Sequence, residues 1–88
     1  MASYNIRWKN SAAREIRKLP AEAVLRILAA VDSLSFDPFP PEARKMAAVE
    51  STFRIRVGDY RIIYRILNDI LVIEIVRIGH RRDVYRKP

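Results

Sequence analysis

The 88-residue sequence has no cysteine, only two glycines and a single histidine. Without cysteine there is no disulfide and no thiolate metal site, and a cytoplasmic setting is the expectation. One histidine cannot supply the paired imidazoles of a metal centre. Two glycines make no Gly-rich phosphate loop, and no serine stands in a nucleophile motif. Any chemistry is therefore expected to need neither metal nor cofactor. No apolar stretch approaches the roughly 20 residues of a bilayer-crossing helix, so neither a membrane span nor a signal-peptide core is expected.

What is present is positive charge. Seventeen Lys and Arg stand against ten Asp and Glu, a formal net charge of +7. Residues 1–50 hold eight cations and six anions, whereas residues 51–88 hold nine and four, and eight of those nine cations are Arg. Arginine presents a planar, permanently charged fork that suits phosphate oxygens. A polyanionic partner follows, nucleic acid before anionic lipid, because no basic amphipathic helix is visible. The plainer alternative is a basic surface that serves solubility alone. Half of the residues are apolar, enough for one modest core, and residues 1–88 are read as a single domain.

The chain opens on a strand pattern, Tyr4, Ile6 and Trp8 alternating with Asn5 and Arg7. Asn10 or Ser11 can cap a short helix to about Leu19, with Ile16 and Leu19 inward. Pro20 ends it and opens a second helix to about Leu34. There Val24, Ile27, Leu28, Val31 and Leu34 form one apolar stripe. Asp37-Pro38-Phe39-Pro40-Pro41 is a rigid loop, and residues 42–51 are ambiguous, with Met46 and Val49 as candidates for the core. From Thr52 onward the residues favour strands, broken by Gly58-Asp59, a type II′ hairpin turn, and by Asn68-Asp69. A last strand is expected from Ile70 to about Ile78. The predicted fold is α+β, in the order β-α-α-β-β-β. A helical hairpin covers one face of a small antiparallel sheet and the other face stays open.

The two-residue turn fixes side-chain directions. Val57 must pair with Tyr60 and Arg56 with Arg61, and Arg54, two residues from Arg56, shares its face. Phe53, Ile55, Val57, Ile62 and Tyr64 then point to the helices. Opposed like charges destabilise a sheet by roughly 0.2–1 kcal/mol, so Arg56 facing Arg61 makes sense if an anion sits between them. Any one of these arginines could simply decorate a solvated strand; three on a common face favour function. The same register puts Val72, Glu74, Val76, Ile78 and His80 on the arginine side, with Glu74 between Arg61 and Arg65. The apolar members would form a patch for a protein partner. Arg77 falls on the core side, which suggests a bulge.

The segments Thr52-Phe53-Arg54-Ile55-Arg56-Val57-Gly58-Asp59-Tyr60-Arg61-Ile62-Ile63-Tyr64 and Ile78-Gly79-His80-Arg81-Arg82-Asp83-Val84-Tyr85-Arg86 resemble the RelE branch of the RelE/ParE toxin superfamily. The order of elements, Leu19-Pro20 and Asp37-Pro38 agree with it, so the resemblance spans nearly the whole chain. It implies the toxin of a type II toxin–antitoxin pair, a ribosome-dependent, metal-independent endoribonuclease. Such enzymes cut messenger RNA in the A site by attack of a ribose 2′-hydroxyl. It implies a cognate antitoxin, the ribosome and mRNA as partners. Carried over by position, the family's site residues become Arg54, Arg56, Arg61, Arg81 and Tyr85. Well-known relatives have Lys at the first two places. A guanidinium cannot act as a base near neutral pH, so Arg54 and Arg56 are read as phosphate clamps. Tyr85 is read as orienting the hydroxyl or stacking on a base, and His80 as a candidate acid or base. The ParE branch, which poisons DNA gyrase, and a non-catalytic RNA-binding module are the competing readings.

Overall fold

The computed structural model describes residues 3–46 and 50–80. Strand β1 (Asn5–Trp8) is followed by helices α1 (Asn10–Arg17) and α2 (Ala21–Leu34). Four further strands complete the order: β2 (Arg44–Lys45), β3 (Thr52–Val57), β4 (Tyr60–Leu67) and β5 (Val72–His80). They form one five-stranded sheet ordered β1-β5-β4-β3-β2. The α+β architecture is as expected, with two differences. β1 runs parallel to β5, making the sheet mixed, and the ambiguous segment adds the two-residue edge strand β2.

The core lies between the helices and one face of the sheet. Ala12, Ile27, Val31 and Leu34 meet Ile55, Ile62, Tyr64, Ile66, Ile73, Ile75 and Ile78. Burying these largely aliphatic side chains is the main force holding helices to sheet, at about 1.5–3 kcal/mol for each fully buried large side chain. The stripe of α2 is rotated from the expected one. Ala23 is buried, whereas Leu28 faces outward beside the exposed Leu25. Among the described residues no helix is long and apolar enough to cross a membrane.

The sequence's turns hold at one end of the sheet and change at the other. Gly58 has φ +61° while Asp59 stays out of the left-handed region, which fits a II′ turn and not a I′ turn. Asn68–Ile70, however, form a 3₁₀ turn closed by Leu71 at φ 53°, so β5 starts at Val72 instead of Ile70. The expected bulge is also real. Ile63 pairs with Arg77 and Tyr64 with Ile75, leaving Val76 as an extra residue in β5. Beyond it the faces reverse, and Ile78 enters the core instead of the arginine side.

Two side chains of α1 hold this irregular stretch where β1 no longer covers it. Ser11 does not cap its helix; its hydroxyl donates to the Val76 carbonyl at 2.9 Å. Glu15 accepts from the Ile78 amide at 2.7 Å with one oxygen and from Arg77 Nε at 2.8 Å with the other. The sheet edge is thus satisfied by side chains in place of a strand.

Candidate nucleic-acid interface

The sheet face away from the helices carries the cluster. Arg56 pairs with Arg61 and Arg54 with Ile63 across β3 and β4, so the three predicted arginines do share a face. β2 adds a fourth, because Arg44 pairs with Arg54. Sequence reasoning missed Arg44, since a two-residue strand leaves no readable alternation. Arg44, Arg54 and Arg56, with Glu42, line a depression of about 210 Å³. Arg56 is exposed and Arg54 half-buried, while Arg61 is only 8% exposed. Nη1 of Arg44 donates to the carbonyls of Pro41 and Ala43, both at 3.1 Å.

The rigid loop before β2 sets this corner. The Tyr64 hydroxyl donates to the Pro38 carbonyl at 2.7 Å, and the Phe39 ring meets Phe53 edge-on at 5.3 Å. Phe53 in turn stacks on Tyr64 at 5.9 Å. Burial, then the carboxylates of Asp37 and Glu42, push the Tyr64 phenol up to about 12. Tyr64 is therefore a neutral donor that anchors the loop carrying Glu42.

Charge on the open face is uneven. Glu74 lies opposite Arg65 and Arg7, at 3.4 and 3.9 Å respectively, so it bridges those two and not Arg61 and Arg65. It offsets the positive charge at the β1–β5 end. Among the described residues, the β2–β3–β4 corner brings four arginines together with Glu42, an arrangement that attracts phosphate.

The remaining predicted site residues fall elsewhere. His80 pairs with Tyr60, its ring edge-on at 5.9 Å, on the helical side of the sheet. There it lines a separate hollow with Lys18, Leu19 and Pro20. The bulge at Val76 causes this by reversing the last residues of β5. The structure therefore does not bring His80 to the arginines. Gly79, which bears no side chain, takes the place opposite Arg61. Arg81 and Tyr85 lie outside the described residues. Among the described residues no three His, Asp or Glu side chains gather as metal ligands.

Comparison with known proteins identifies relatives of nearly the whole chain. Residues 6–85 match the family model described as ParE toxin of the type II toxin–antitoxin system. Toxin RelG of Mycobacterium tuberculosis is 35% identical over 96% of this chain and 98% of its own. The archaeal RelE–RelB complex from Pyrococcus horikoshii matches with a TM-score of 0.81 and 27% identity, over 92% of this chain and 98% of that one. The RelBE2 toxin–antitoxin complex from Mycobacterium tuberculosis matches at 0.79 and 29%, over 91% and 100%. With its arginine-bearing hairpin on the same fold, this chain belongs to the RelE/ParE superfamily as a RelE-type toxin of the type II toxin–antitoxin class.

Proposed function

We propose that the protein is a ribosome-dependent endoribonuclease that cleaves mRNA in the A site and so stops translation. The observation that carries this reading is Arg56 standing opposite Arg61 on the open face, with Arg54 and Arg44 alongside. Stability gives no reason to oppose two cations, whereas a phosphodiester between them does. In this reading the ribosome presents a splayed codon and a 2′-hydroxyl attacks the adjacent phosphorus. Arg54, Arg56 and Arg61 meet the charge that grows on the phosphoryl oxygens, work worth about 3–4 kcal/mol per aligned donor. Arg81 adds a further cation, and Tyr85 stacks on a base or orients the hydroxyl. His80, on the helical side, has no part in the step.

The natural partner in this reading is an antitoxin. Both solved structures described above are toxin–antitoxin complexes, and an acidic, amphipathic segment is the chemistry that would neutralise the arginine face. Primer extension on messages from cells expressing the protein tests the proposal. New 5′ ends inside translated codons are expected, and their absence while growth is arrested would overturn it. Gyrase poisoning is the second reading, favoured by the wording of the matched family model. It predicts DNA breaks with translation spared.

A further inference from the structure

The nuclease reading needs a group that takes the 2′-hydroxyl proton, and the arginines cannot supply it. A guanidinium stays protonated near neutral pH and cannot act as a base there. His80 lies across the sheet, against Tyr60. One carboxylate does share the depression with Arg44, Arg54 and Arg56, and it is Glu42. The strand register explains its place. Arg44 stands opposite Arg54, and the turn just before it runs back along β3 toward Arg56, as an antiparallel neighbour does. The loop before it is pinned through Tyr64 and Phe39, and Arg44 is tied to the carbonyls of Pro41 and Ala43 on either side of Glu42. Glu15 and Glu74 are each tied to arginines, whereas exposed Glu42 forms no ion pair with a described residue.

From these placements we propose that Glu42 is the general base of the cleavage, an inference that rests on the nuclease reading above. Its carboxylate takes the proton of the 2′-hydroxyl as that oxygen bonds to phosphorus. The bond from phosphorus to the 5′ oxygen breaks with its electron pair, leaving a 2′,3′-cyclic phosphate. The departing oxygen takes a proton from solvent, and Glu42 returns its own to solvent. Arg54 and Arg56, on the walls of the same depression, face the phosphoryl oxygens while this happens. The carboxylate thereby performs the proton transfer that Arg54 and Arg56 cannot.

Single-turnover cleavage on programmed ribosomes by wild type, E42Q and E42D tests the assignment. E42Q should lose on the order of 10²- to 10⁴-fold in rate while binding ribosomes and unfolding in urea as wild type does. E42D, which keeps a carboxylate, should be slowed less. E42Q cutting within about threefold of wild type overturns the assignment. So does E42D as slow as E42Q, because the carboxylate itself is then not what the step needs. Wild type leaving no cut message overturns the nuclease reading and this inference together, a result distinct from wild type and E42Q cutting alike.

Discussion

Arg56 and Arg61 stand directly opposite each other on neighbouring strands, two guanidinium groups on one sheet face. Arg61 is the buried member and Arg56 the exposed one. Directly opposed like charges disfavour each other across a strand pair, and an anion between them relieves that. Replacing Arg56 with Gln should raise stability by about 0.2–1 kcal/mol, read from the urea midpoint. The same change should lower cleavage on the order of 10²-fold. A variant both less stable and fully active would contradict this account.

Glu15 ties α1 to the end of β5. It satisfies the Ile78 amide and Arg77 together, holding β5 just past its bulge. Glu15→Ala should cost about 2–3 kcal/mol, because a charge-assisted bond is lost and a part-buried amide is left unmet. Arg77→Met in the Glu15→Ala background should add little further loss. A double-mutant cycle from denaturation curves measures this coupling.

Tyr64 predicts an alkaline weakness. Its phenol ionises near 10 when unfolded and about 12 when folded. The unfolded chain therefore loses this proton first. The stabilisation is complete below about pH 10 and declines as pH rises toward 12. Absorbance titration should show one of the four tyrosines ionising late. Tyr64→Phe should remove that late step, lessen the alkaline decline, and cost about 1 kcal/mol at neutral pH through the lost bond to Pro38.

Gly58 is required by its turn. At φ +61° a side chain is strained, and an added Cβ would lie 3.0 Å from Arg26 Nη2. The arginine end can move, so backbone strain sets the cost. Gly58→Ala should destabilise by about 1–3 kcal/mol in thermal or urea unfolding. Because the turn fixes the hairpin register, cleavage should fall by more than the unfolded fraction explains.

Much of the fold was legible because its signals are local. Pro20 and the Asp37-Pro38 loop bound α2, and two turn residues dictate the Arg56–Arg61 pairing. The failures come from contacts distant in sequence. The bulge at Val76 is held by Ser11 and Glu15, more than sixty residues earlier, and it moves Ile78 and His80 to the opposite face. Arg77 alone hinted at this, since a strand pattern would have buried it. The parallel pairing of β1 with β5 left no local mark. Glu42 and Arg44 were hidden because they join the site through a two-residue edge strand after a proline-rich loop.

The most direct test uses purified protein, programmed ribosomes and end-labelled message, with free RNA as the control. Cleavage confined to the A-site codon is expected, with 2′,3′-cyclic phosphate and 5′-hydroxyl ends. Arg61→Ala should abolish it while ribosome binding persists. Uncut message with wild-type protein bound, or equal cutting by Arg61→Ala, would contradict the claim that opposed arginines form the phosphate-gripping site.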